Sequence, residues 1–121
     1  MTQTQDRPTA AHKAAWILMI PDGDPTKHRA SIKTSIYQAT IVCVNNVDQA
    51  VAVCTDLVQH SGVTSITLCP TFDYRQVAKI KDSVGDEVGV NVCLMDVPNM
   101  LTQMRTMKKE GWKQGWLGKS R

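Results

Sequence analysis

The sequence predicts one α/β domain with a four-stranded, mainly parallel sheet flanked by helices. Three observations carry this. Short apolar runs rich in β-branched residues alternate with segments of helical periodicity, and helical returns make parallel strands with right-handed crossovers the default. The chain has 121 residues, of which 42% are hydrophobic and 21% charged, the size and balance of a single folded unit. Polar clusters also fall directly behind the apolar runs, where parallel α/β sheets hold their ligands. A ferredoxin-like α+β arrangement is the alternative, with the first two strands pairing as an antiparallel hairpin.

Each element follows from local signals. Trp16 to Ile20 is a continuous apolar run closed by Pro21, the pattern of a strand buried on both faces. Asp24 and Pro25 make a helix start, which predicts a short helix over Pro25 to Ile32. Ile36 to Val44 is β-branched and partly alternating, a second strand. Asn46 and Gln49 form a capping pattern ahead of Val47, Ala50, Val51, Cys54, Leu57 and Val58, which keep helical spacing until Gly62. Ser65 to Cys69 is a third strand. Asp73 with Gln76 opens a helix whose Val77, Ile80 and Val84 share a face before Gly85. Gly89 to Met95 is a fourth strand, and Asp96 caps a last helix with Met100, Leu101, Met104 and Met107 on one face.

Composition narrows the function classes. The longest apolar run, Ala14 to Ile20, is far short of the roughly 20 residues that cross a bilayer, so no transmembrane segment is expected. The four cysteines, Cys43, Cys54, Cys69 and Cys93, form no close pair, and with the absence of a secretory leader this points to a reducing, cytoplasmic setting. The net charge is +3, yet residues 105–121 alone carry +5, leaving −2 for residues 1–104. A nucleic-acid-binding body carries the opposite asymmetry, so nucleic acid is not the expected partner. The chain divides into a flexible lead over residues 1–13, an α/β domain over 14–110 and a basic tail over 111–121.

The candidate site residues are Asp22, His28, Arg29, Cys69, Thr71 and Asp96. Asp22 and Asp24 with an imidazole nearby could ligate a divalent cation, but turn chemistry and helix capping explain both carboxylates, and no metal site is assigned. His28 and Arg29 could fix an anionic ligand by charge-assisted bonds. Cys69 stands at a strand end close to a helix start, where a thiol can act as nucleophile or acid and base. Thr71, Asp73 and Asp96 each read equally as helix caps. His60 lies near a helix stop and His12 in the lead, so neither supports a triad. The sequence has no glycine-rich nucleotide loop and no zinc-type cysteine spacing, and it names no cofactor.

The tail GWKQGWLGKSR interleaves Trp112 and Trp116 with Lys113 and Lys119. Such aromatics are best accounted for by docking onto the body or a neighbouring subunit.

DGDPTKHRASI after the first strand, IVCVNNVDQAVAVCTDLVQHSGVTSITLC, and FDYRQVAKIKDSVGDEVGVNV together resemble a family of small prokaryotic α/β proteins of unknown function. The shared features are a DPxKHR stretch, here Asp24, Pro25, Lys27, His28 and Arg29, and a cysteine ending the third strand, here Cys69. Pro70 and Thr71 stand where the family pattern has two glycines. The resemblance spans Ala14 to Met95, so the segment from Val97 reads as an addition. It implies the fold and the place of a site, and no activity.

Two functional readings follow. The first is a cytoplasmic protein, whether or not an enzyme, that binds a small anionic metabolite at the carboxyl edge of the sheet. The second is a non-catalytic assembly subunit, a homo-oligomer or partner subunit, that packs through its Met-rich last helix and Trp tail.

Overall fold

The computed structural model describes residues 7–112. Its centre is β1 (His12–Met19), which pairs in parallel with β3 (Tyr37–Val44) on one side and with β4 (Ser65–Leu68) on the other. Beyond β4 lies β5 (Gly89–Val92), also parallel. The fifth strand, β2 (Arg29–Lys33), runs antiparallel to β3 and forms the far edge, giving the order β2-β3-β1-β4-β5. The architecture is therefore α/β with a mixed five-stranded sheet.

Three expectations are corrected. The predicted helix over Pro25 to Ile32 is a turn followed by β2, because Asp24 caps only a tight turn: its Oδ1 accepts from the amide and hydroxyl of Thr26 at 2.9 and 2.7 Å. The ferredoxin-like alternative fails because β1 and β3 pair in parallel; the antiparallel partner of β3 is β2. His12 belongs to β1 rather than to a lead, with its amide bonded to the Ile36 carbonyl at 2.9 Å.

The helices form where their capping chemistry places them. α1 (Val47–Ser61) starts at Asn46, whose side chain accepts from the Gln49 amide, and stops at Gly62, whose φ of 73° only glycine adopts readily. α2 (Tyr74–Val84) has a full capping box between Asp73 and Gln76. α3 (Val97–Lys109) is capped by Asp96 with a proline in its first turn.

The hydrophobic core lies between one sheet face and two helices. Ala15, Ile17, Met19, Val42, Val44, Ile66 and Leu68 point from the strands toward Ala50, Val53, Cys54 and Leu57 of α1 and Ile80 of α2. Each large aliphatic side chain so buried stabilises the fold by about 1.5 to 3 kcal/mol. Topology explains why the core is one-sided. The crossovers β3-α1-β4 and β4-α2-β5 run in the same direction across the sheet, so right-handedness puts both helices on the same face. The move from β1 to β3 runs the other way, but its connection contains a strand instead of a helix. The opposite sheet face therefore receives no helix from it, and α3 buries none of its residues. Among the described residues, no helix is long and apolar enough to cross a membrane.

Candidate functional site

Because the chain leaves β1 toward β3 and later returns to β4, the carboxyl ends of β1 and β4 flank the point where strand order reverses. Crevices at such points hold ligands in open α/β sheets. On the β1 side, Gly23 N–H closes a turn on the Ile20 carbonyl at 2.9 Å, with Pro21 and exposed Asp22 at its tip. Asn45 Nδ2 donates to the Gly23 carbonyl at 3.0 Å and fastens this turn to the end of β3.

The β4 side is built around Cys69. Its amide continues the ladder by donating to the Ile17 carbonyl at 3.0 Å. Its carbonyl turns away to accept from Phe72 N–H at 3.2 Å, closing a turn with Pro70 and Thr71 at the tip. Pro70 suits this turn because its fixed φ matches the second position. The Cys69 sulfur then takes the vacated place in the ladder, accepting from Met19 N–H at 3.3 Å, and it lies 2.8 Å from Thr71 Oγ1.

Cys43 joins this group. The register sets it opposite Leu18, and continuing both ladders by one residue brings Cys69 and Cys93 to the same level across the sheet. Burial pushes the Cys43 thiol up, and the nearby Asp22 and Cys69 push it further. The signal available in sequence was position alone: each of the three cysteines stands within one residue of the end of its strand.

The other candidates are placed elsewhere. Arg29 is opposite Val42 in β2 and so faces the helix side, where it borders a shallow depression with Pro25, Thr26, Ala52, Val53 and Asp56. Its Nε donates to the Pro25 carbonyl at 2.8 Å. His28 turns its Nδ1 into its own loop to accept from Asp24 N–H at 3.0 Å. Asp96 follows β5 on the same sheet edge as Asp22 and Cys69, but it is spent on α3: Asn99 donates to it from its side chain at 2.6 Å and from its amide at 3.3 Å, which holds the carboxyl below its ordinary range. Asp22, Cys69 and Thr71 thus gather near the strand reversal, while His28, Arg29 and Asp96 do not join them. Among the described residues no group of three or more His, Cys, Asp or Glu is arranged to hold a metal ion.

One concave feature on this edge was missed by sequence reading. Pro70, Phe72, Tyr74, Cys93, Leu94, Met95 and Met100 border a depression of about 350 Å³ between the ends of β4 and β5 and the first turns of α2 and α3. Its lining comes from two stretches of chain, 70–74 and 92–100, that are far apart in sequence, so no local pattern announces it.

Comparison with known families decides the relationship of the chain. A model of a family of unknown function, DUF6506, matches residues 12–108. The chain belongs to this family. The DUF6506 match opens on the first residue of β1 and closes within the last turn of α3, so residues 97–108, read from the sequence as the start of an addition, are part of the family unit. No curated protein and no solved structure matches the DUF6506 chain.

Proposed function

We propose that this DUF6506 protein binds a small molecule at the carboxyl edge of its sheet, in the depression between β4 and β5. The observation that supports this most is the depression itself: a concave, largely apolar surface with the polar groups of Asp73 and Cys93 at its border is what small-ligand sites look like. Its lining favours a ligand with an apolar body over the small anion suggested by His28 and Arg29, because neither of those residues faces it. Cys69 and Thr71 stand on the turn beside Pro70, and a nucleophilic role for the Cys69 thiol would be exercised on a ligand held there. Screening by ¹H–¹⁵N correlation spectra against a library of small metabolites tests the reading. Binders should shift Phe72, Tyr74, Cys93 and Leu94 together, and Tyr74→Ala, which alters an exposed side chain, should weaken them. Binders that shift only β2 and α1, beside Arg29, would overturn it.

A second reading rests on α3. Val97, Leu101 and Met104, at helical spacing, are 61%, 49% and 47% exposed, and an apolar stripe of this kind suits a partner helix or groove. Assembly through α3 requires that Leu101→Lys lowers the mass of any complex in light scattering while the circular dichroism stays unchanged. Of the Trp tail that completes that reading, Gly111 and Trp112 are described, with the half-buried Trp112 donating its amide to the Met107 carbonyl at 2.9 Å, while residues 113–121, Trp116 among them, lie outside the described residues.

A further inference from the structure

The sheet face turned away from α1 and α2 has a composition and relief that the ligand site does not use. Strand alternation and register place on it Ala30 and Ile32 of β2, Tyr37, Ala39, Ile41 and Cys43 of β3, His12, Ala14, Trp16 and Leu18 of β1, Ser65 and Thr67 of β4, and Gly89 and Asn91 of β5. None of these is Asp, Glu, Lys or Arg. The charges of the same strands, Lys13, Arg29 and Lys33, fall on the helix side by the same alternation. Trp16 is 39% exposed at the centre of this face and Ile32 is 61% exposed toward its edge. His12 lies at the rim, its ring 5.7 Å from that of Tyr37.

The face is also corrugated. One row across the sheet reads Ile32, Ala39, Ala14, Ser65, Gly89, and four of these five residues are small. The next row reads Ala30, Ile41, Trp16, Thr67, Asn91, with its bulk at Ile41 and Trp16. The bulk of Trp16 and Ile41 thus stands beside small residues, of which Ala14 and Ala39 are buried.

We propose that two copies of this chain associate through this face about a two-fold axis. In such an interface each patch meets its own image. A face bearing charges of one sign would repel itself there, and a face without charges does not. Trp16 and Ile41 of one copy would meet the small-residue row of the other, as facing side chains do between packed sheets. The extent approaches that of a specific interface: strands of these lengths, about 4.8 Å apart and rising about 3.3 Å per residue, give roughly 450 Å² per copy in projection. Two copies then bury about 900 Å² before side-chain relief is counted, close to the roughly 1,000 Å² that separates specific interfaces from incidental contacts. This surface is distinct from α3, so the association does not depend on either reading of the site.

Sedimentation equilibrium of the full-length protein tests the proposal, with one variant on the exposed edge strand and one beside Trp16. Ile32→Lys alters an exposed side chain on the edge strand, and Thr67→Arg puts a charge beside Trp16. Wild type should sediment as a dimer, and each variant should dissociate at least tenfold more readily with unchanged circular dichroism. A monomeric wild type overturns the proposal, including a monomer whose β1 residues are protected by another segment of the chain. A dimer that survives both substitutions but yields to Leu101→Lys also overturns it and moves the contact to α3.

Discussion

The Cys69 sulfur lies 3.3 Å from the Met19 amide nitrogen, in the place where the Cys69 carbonyl would extend the β1–β4 ladder. That carbonyl is instead bonded to Phe72 N–H. A cysteine at this position lets the strand end in a tight turn without stranding a part-buried donor, so its conformational role is established independently of any chemistry it performs.

Replacing Cys69 should therefore cost stability as well as reactivity. Cys69→Ala removes the acceptor for Met19 N–H and should destabilise the fold by about 1 kcal/mol, the usual effect of losing one such bond. Cys69→Ser keeps an acceptor and should lose less. Urea unfolding of both variants separates the contributions, and equal stabilities would mean that the sulfur contact carries no weight.

His28 and Asp24 define a second local device. The ring accepts from Asp24 N–H while the His28 amide donates to the Asp24 carbonyl at 2.7 Å. An exposed residue without such bonds changes stability by only about 0.5 kcal/mol when truncated. His28→Ala should exceed that and approach about 1 kcal/mol. Ligand binding at the β4–β5 depression should be unaffected, and its loss in this variant would restore His28 to the site.

Asp24 also gives a pH-dependent prediction. The Thr26 hydroxyl bond, then the Thr26 amide bond, hold its carboxyl below the ordinary carboxylate value, with smaller help from Lys27 and His28. A group whose pKa is lower in the folded state contributes stability above its unfolded value and loses it as pH falls through its folded value. The destabilisation caused by Thr26→Ala should accordingly be largest near neutrality and shrink in acid. Carbon NMR of the Asp24 carboxyl should find its titration moved upward in that variant.

The parts of this fold that were legible are those written by local chemistry. Asn46 with Gln49, Asp73 with Gln76, and Asp96 with Pro98 announce three helix starts because capping bonds join residues two or three apart. β2 was illegible because all five of its residues are exposed, and it is held as a strand by pairing with β3, a tertiary effect that overrides local preference. Asp24 and Pro25 meanwhile imitate a helix start. The alternation in Arg29-Ala-Ser-Ile-Lys33 and the turn residues Thr34 and Ser35 were the available counter-signal. The site divided in the same way: the edge holding Asp22, Cys69 and Asp96 followed from parallel strands, while the side taken by Arg29 depended on the strand that was missed.

The four thiols should differ sharply in access. Cys54 is fully buried against the core, and burial pushes its thiol up to about 12. Only thiolates are good nucleophiles, so mass spectrometry after brief alkylation of the native protein at neutral pH should find Cys54 unmodified. It should react fully in denaturant. Cys43, raised in the same direction, should lag behind its rate in a short unfolded peptide.

Gly23 offers the most severe test of the first loop. It is buried beneath the end of β3, and a Cβ built on it would lie 2.6 Å from the Val44 carbonyl oxygen and 2.8 Å from its carbon. Both neighbours are main chain, and the Val44 carbonyl is already bonded to Ile20 N–H at 2.8 Å, so neither can yield without breaking the β1–β3 ladder. The cost is steric rather than conformational, since the backbone of Gly23 is not among the glycines with positive φ. Gly23→Ala should thus lose about 3 kcal/mol, the upper range for overpacking, and loosen the Asn45 bond that ties the loop to β3. Gly89→Ala is the control: its nearest contact would be 3.9 Å, and removing a strand glycine should leave stability unchanged or raise it by up to about 1 kcal/mol. Comparable unfolding midpoints for the two variants would show that the loop moves freely away from Val44.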